Sequence, residues 1–212
     1  MDRGSAPILA VFLLGTIVVI FTVSSMLKSG YERQVKELVL KQAGLVALGT
    51  LKSVEVEVNQ YLRSAACSAM FEVGEVGGDE NEVLQKVMEA ARELENAWSF
   101  PSVSLSLPIE NLGEFLSWTP DGSLEISGLL PASVKHVMGP EAWGIKLEVT
   151  GIPRFRRMRQ LSYLVIPQEN FLDFLCQLNE NFREEGFFFE ATSQGIVIKD
   201  LWAERVLVSY LT

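Results

Sequence analysis

The chain has few of the residues that usually build metal and redox sites: one histidine and two cysteines among 212 residues. His136 has no cysteine or second histidine near it in sequence, and a zinc site needs several such ligands. The HExxH, P-loop, GxSxG and EF-hand patterns are also absent. We therefore expect no catalytic residues, no metal site and no cofactor, and we rank an anchored enzyme of an unrecognised kind as the least favoured interpretation.

The two cysteines, Cys67 and Cys176, leave the redox compartment open. They can form one disulfide in an oxidising compartment, or they can pack separately as two small hydrophobic side chains. The spacing does not decide between these alternatives.

Excess positive charge is lacking as well. The net charge is -9, which argues against nucleic acid as a partner because binding it needs a basic face. The exception is "RFRRMRQ", where Arg154, Arg156, Arg157 and Arg159 concentrate positive charge. If this segment is extended, Arg154 and Arg156 share one face. The cluster is a candidate contact for anionic lipid, for an acidic partner or for the chain's own acidic helices. The alternative is a solvated loop between strands, paired internally with glutamate.

One long apolar run is present near the amino terminus. Residues 6–26 carry no charge, and as a helix they are about 31 Å long at about 1.5 Å per residue, close to a bilayer's hydrocarbon core. This run is longer than the apolar core of a cleaved signal peptide. It predicts a retained, single-pass transmembrane helix within residues 1–28.

The orientation of this anchor depends on which signal is followed. Lys28, Arg33, Lys36 and Lys41 follow the apolar run, whereas only Arg3 precedes it. The positive-inside rule alone would place the carboxyl-terminal part in the cytoplasm.

The sequence "RGSAPILAVFLLG" resembles the start of archaeal type IV pilin-like precursors. The resemblance covers about 25 residues and implies cleavage after Gly4, Ser5 as the first mature residue, and a helix that starts near Pro7. Many pilins have Glu at the fifth mature position, where this chain has Leu9, a departure that bears on filament assembly more than on membrane insertion. The resemblance implies an extracytoplasmic carboxyl-terminal domain, against the positive-inside rule.

A helical hairpin is predicted for residues 29–100. Ser29-Gly30 is a candidate hinge, and apolar residues at steps of three and four predict a helix over Tyr31–Val73. Asp79 and Glu82 have the spacing of a capping box and predict the start of a second helix. The apolar stripe of the first helix is formed by Leu40, Ala43, Ala47, Leu51, Val54, Val58, Leu62, Ala65 and Ala69.

Residues 101–212 are predicted to form an α+β domain with an antiparallel or mixed sheet and one packed helix. Strand-like runs begin with "VSLSLP" and continue with "SLEISGLLP", "IKLEVTGIP" and "QLSYLVIP". A helix is predicted over residues 168–184, followed by strands in "FFFEATS", "GIVIKDLWA" and "RVLVSYL".

Two functional hypotheses follow. The first is a non-enzymatic, membrane-anchored envelope protein of pilin-like type. It acts by self-assembly or by presenting its domain at the surface, and its partners are other copies of itself or other envelope proteins. The second is a single-pass anchored module that binds a ligand or a partner protein.

Overall fold

The computed structural model describes residues 5–165, 171–192, 195–203 and 207–210. For residues 5–12, 96 and 207–210 it describes the backbone only. Its dominant element is helix α1, Ser5–Glu75, which runs through 71 residues. At about 1.5 Å per residue such a helix is about 105 Å long. The second helix, two strands of the first sheet and the last strand pack against this helix.

Helix α1 has no break at Ser29-Gly30, so the hinge expected there is wrong. A glycine inside a helix costs about 1 kcal/mol relative to alanine, which is too little to interrupt a helix that continues on both sides. The predicted transmembrane helix and the predicted first helix of the hairpin are therefore one element.

The helical hairpin is confirmed. Helix α2 is Glu80–Arg92, and Asp79 caps it by accepting hydrogen bonds from the backbone amides of Asn81 and Glu82. Gly77, with φ of 71°, makes the turn in the left-handed region that favours glycine. The Tyr61 hydroxyl of α1 donates to the carbonyl of Ala90 at 3.1 Å.

The first sheet is antiparallel throughout. It contains β1 (Val103–Ser106), β2 (Leu116–Trp118), β3 (Leu124–His136) and β4 (Glu141–Val149). The long strand β3 is central: β1 and β2 pair with successive parts of one side of it, and β4 pairs with the other. A register shift between Leu130 and Ser133 interrupts the β3–β4 ladder.

The expected strand in "QLSYLVIP" is wrong. Helix α3, Phe155–Ser162, contains Arg156, Arg157 and Arg159 and the first three residues of that run. Phe155, Met158 and Leu161 are fully buried at steps of three, which is helical spacing. Burial of this face against the rest of the domain outweighs the alternation of Leu161, Tyr163 and Val165 that suggested a strand.

The second sheet is built from three antiparallel strands: β5 (Phe187–Thr192), β6 (Gly195–Asp200) and β7 (Leu207–Tyr210), with β6 in the centre. Helix α4, Phe171–Phe182, packs against β5. The predicted start of this helix at residue 168 lies outside the described part of the chain, as do residues 205, 206 and 211 of the predicted strand "RVLVSYL".

A single hydrophobic core joins these elements. It extends from Ala47 on α1 through Val87 on α2 and Ile126 on β3 to Ile198 on β6. The α1 stripe predicted from the sequence is buried from Ala43 onward; its exceptions are Ala65, which is half-buried beside the buried Ala66, and Leu40, which is exposed. The carboxyl-terminal half of α1 is thus part of the same core as both sheets.

Side chains of α1 satisfy the free edge of β4. Asn59 accepts from the Glu148 amide at 2.9 Å and donates to the Lys146 carbonyl at 2.8 Å. Glu55 accepts from the Lys146 amide at 2.9 Å. An open strand edge invites pairing with another chain, and here the helix occupies the groups that would make such a pair.

Candidate membrane anchor and its extension

Helix α1 divides into a free half and a packed half. Residues 13–42 are all exposed, whereas burial begins at Ala43 and recurs to Val73. The free half includes a window of mean hydropathy 1.6 in which no residue is buried. By length and composition this helix could span a membrane, a property that it shares with signal sequences and with the buried core helices of soluble proteins.

Uncovered apolar side chains set this segment apart from an ordinary surface helix. Leu14, Ile17, Phe21 and Leu27 are each more than half exposed, and each would lose about 1.5–3 kcal/mol of transfer free energy if left in water. A polar face that could turn toward water is also missing between residues 13 and 27. Contact with lipid or with other protein would recover that transfer free energy.

A rigid extension connects the apolar segment to the domain. Residues 27–42 contain Lys28, Arg33, Lys36 and Lys41 together with Glu32 and Glu37. Sixteen helical residues are about 24 Å long. The β3–β4 turn lies beside this extension. Met138 of the turn and Val39 of the extension line one groove of about 380 Å³.

Apolar residues also continue along the extension, on the side of α1 opposite its domain. Leu38 and Leu45 are 60% and 70% exposed, and they are seven residues apart. Sequence analysis overlooked them because the buried stripe on the other side gave the stronger periodic signal. The seven-residue spacing was the signal that could have found them.

The four arginines that were candidate contacts for an anionic partner have acidic partners within the chain. Arg154 pairs with Asp200 at 2.7 Å, and Arg157 with Glu185 at 2.9 Å. Glu80 forms ion pairs with both Arg156, at 3.5 Å, and Arg159, at 3.0 Å. The backbone of this segment is helical and not extended, since Arg156, Arg157 and Arg159 lie on α3.

Arg154 is the buried member of this cluster. Its guanidinium lies 4.0 Å from the ring centroid of Phe187 and 4.2 Å from that of Trp202, so two aromatic faces enclose it. Burial alone would raise the pKa of Asp200, but hydrogen bonds from the Arg154 side chain and backbone, with its charge, outweigh burial and lower that pKa. This pair therefore joins the start of α3 to β6 as a structural element.

The two cysteines are free thiols in the structure, so Cys67 and Cys176 form no disulfide there. Cys67 on α1 is half-buried, and Cys176 on α4 is exposed. Burial raises the pKa of the Cys67 thiol, partly opposed by the charge of Arg63. The candidate processing residue Gly4 lies outside the described residues, and Ser5 is the first residue of α1.

His136 closes the β3–β4 turn. Its Nδ1 accepts a hydrogen bond from the Met138 amide at 3.1 Å, and its own amide donates to the Pro140 carbonyl at 2.8 Å. Within the described residues no group of three or more His, Cys, Asp or Glu side chains could hold a metal ion.

A groove of about 690 Å³ runs along the first sheet. Polar and apolar residues of β3 and β4 line it, among them Glu125, Ser127 and Ile126. Comparisons with protein families, with characterised proteins and with solved structures give no match to this chain.

Proposed function

We propose that this chain is a non-enzymatic, single-pass membrane protein of the cell envelope, of pilin-like type. Its α+β domain stands on the extracytoplasmic side, and it acts by self-assembly or by presenting that domain at the surface. The observation that carries the proposal is the division of α1: its exposed half begins with an uncharged apolar segment, and its other half is part of the domain core.

The uninterrupted helix supports this function mechanically. Because α1 passes from the apolar segment into the core without a break, the anchor and the domain move together. A flexible tether would let the domain reorient freely, whereas a helix of this kind holds it at a set height and direction. Such a geometry suits repeated display or ordered assembly of identical subunits.

The amino terminus of the protein recovered from native membranes tests the pilin-like part. Processing of the predicted kind leaves Ser5 as the first residue, and intact-mass spectrometry detects the loss of residues 1–4. A chain that retains Met1 would contradict processing but not anchoring. Alkaline carbonate washing tests anchoring separately, because an integral helix stays with the lipid.

Protease treatment of intact cells tests the orientation. An extracytoplasmic domain is cleaved without lysis, whereas a domain that is protected until lysis restores the topology favoured by Lys28, Arg33, Lys36 and Lys41. Cleavage should be read with an antibody to the carboxyl-terminal domain and with a cytoplasmic protein as a control for leakage.

A second candidate function is an anchored binding module. It is favoured by Leu129 and Trp143, large apolar side chains that are both exposed on the first sheet. Leu129 also lines the groove along β3 and β4. Loss of a captured envelope component on Trp143→Ala, with an unchanged amount of folded protein in the membrane, would favour this function over self-assembly.

A further inference from the structure

From Leu38 to Gly49, α1 carries a stripe on the side away from its own domain. We call it the outer stripe. Its members recur at steps of four, three and four residues: Leu38, Gln42, Leu45 and Gly49. This is the 3.5-residue period by which two helices pack along a common seam.

The chain's own domain cannot cover the outer stripe. Leu45 and Gly49 are each two residues from the buried Ala47, and two residues correspond to about 200° of rotation around a helix. The domain-facing side and the outer stripe are therefore on opposite sides of α1. Nothing lies within 4 Å of the position that a Cβ of Gly49 would occupy.

Lipid cannot cover most of the stripe either. With Met26 at the end of the apolar segment, Leu38 stands about 18 Å and Leu45 about 28 Å further along the helix. The headgroup layer on each side of a bilayer is only about 5–8 Å thick. Even a tilt of about 40°, the steepest that is common, leaves both residues beyond the lipid.

The charge pattern allows an identical helix to lie against the stripe. The charged residues of this stretch stand off it: Glu32, Arg33, Lys36, Glu37 and Lys41. Placing two copies side by side therefore brings no like charges together along the seam. Gln42 has both a donor and an acceptor, so it can hydrogen-bond to the Gln42 of a copy at the same height.

We infer that the outer stripe binds a second copy of this chain, in parallel and in register. The inference rests on the proposed anchoring function, because anchoring in one membrane gives two copies the same direction and the same height. Gly49 lets the two backbones approach closely at the upper end of the seam, and Lys52, which follows it by three residues, ends the apolar pattern.

Disulfide crosslinking of the full chain in phosphatidylcholine vesicles tests the inference. The background is Cys67→Ala with Cys176→Ala, and single cysteines are added as Leu38→Cys or Leu45→Cys. The matched control is Glu37→Cys, which is exposed and adjacent but off the stripe. We expect covalent dimers to form at least about tenfold faster at Leu38 and Leu45, because a disulfide needs Cβ atoms about 4 Å apart.

A second variant tests the seam without relying on the position of the thiol. In the Leu45→Cys background, Leu38→Glu places two like charges opposite each other and should slow dimer formation about tenfold. Leu40→Glu makes the same chemical change at an exposed position two residues from Leu38, on the opposite side of α1, so we expect the rate to stay within about twofold of the unmodified background, since the new charge meets none across the seam.

The outcomes separate the inference from the function on which it rests. A chain that alkaline carbonate removes from the vesicles is not anchored, and both proposals fail. A chain that stays in the vesicles but crosslinks equally at Glu37 and Leu38, or as fast with Leu38→Glu as without it, overturns the parallel pair and leaves the anchor standing.

Discussion

Arg154 donates to both carboxylate oxygens of Asp200, from Nε at 2.9 Å and from Nη2 at 2.7 Å, although 46 residues separate the two in sequence. The backbone amide of Arg154 donates to the same carboxylate at 3.0 Å. Arg154 is 7% exposed and Asp200 4%. This buried pair fixes the start of α3 against the second sheet.

Removing the charge of Asp200 should destabilise the domain strongly. Asp200→Asn keeps the shape but leaves the Arg154 guanidinium buried without a counter-ion, and breaking such a pair costs about 3–5 kcal/mol. Urea unfolding of the detergent-solubilised chain measures the change. Glu185→Gln is the control, because its pair with Arg157 is partly exposed and should contribute about 0–1 kcal/mol. Equal losses for the two variants would contradict the structural role of Asp200.

The same pair should make the domain sensitive to acid. The pKa of Asp200 is lowered in the folded state, so the carboxylate stabilises the fold at pH values above its unfolded pKa of about 3.9. This contribution is lost as the pH falls from there through the lower folded pKa. We expect the difference in unfolding free energy between the parent chain and Asp200→Asn to shrink over that range. A difference that stays constant down to about pH 2 would contradict it.

Asn59 should protect the edge of β4. Asn59→Ala removes the two hydrogen bonds to β4, each with a net value of about 0.5–1.5 kcal/mol, and leaves an amide and a carbonyl open at the strand edge. We expect a loss of about 1–3 kcal/mol in unfolding free energy and faster aggregation in light scattering. Gln60→Ala, at the exposed neighbouring position, should change neither quantity; similar aggregation of both variants would argue against edge protection.

The two thiols should react at different rates. Cys176 is exposed, whereas Cys67 is half-buried and its thiol has a raised pKa, so less of it is thiolate at neutral pH. Iodoacetamide labelling of the native chain at pH 7.5 should show one fast and one slow modification by mass spectrometry. Cys176→Ser should remove the fast one. Two unreactive cysteines that become reactive after reduction would instead reveal a disulfide.

Continuity of α1 at Gly30 is testable by a pair of substitutions. Gly30→Pro removes a helical hydrogen bond and should open a kink, at a cost of about 3 kcal/mol or more. Gly30→Ala should stabilise the helix by about 1 kcal/mol, because nothing lies within 4 Å of the added Cβ position. Limited proteolysis of the detergent-solubilised chain should cut near residue 30 faster in the first variant and more slowly in the second. Identical cleavage would indicate a hinge already present.

Much of the local structure could be read from short-range patterns. The uncharged run of residues 6–26 indicated a helix of membrane length, Asp79 indicated the start of α2, and strict alternation in "VSLSLP" indicated β1. These features depend on neighbours only a few residues away: backbone groups that need caps, and side chains that alternate or recur every three or four residues.

The sequence-based predictions were wrong where contacts between residues far apart in sequence determine the local structure. The segment after Arg154 became α3 because Phe155, Met158 and Leu161 find a core to fill and because Asp200 receives the arginine. No local pattern reveals that partner 46 residues away, since its contribution depends on burial that exists only after both sheets have formed.

By itself, the sequence determined that this protein has a long apolar helix and an α+β domain, because hydrophobic periodicity is a local property of the chain. Only the tertiary structure decided which side of α1 the domain covers, and hence that Leu38 and Leu45 remain outside it. The physical reason is that both sides of the extension carry apolar residues, and packing against the first sheet begins only at Ala43, on the opposite side from Leu45.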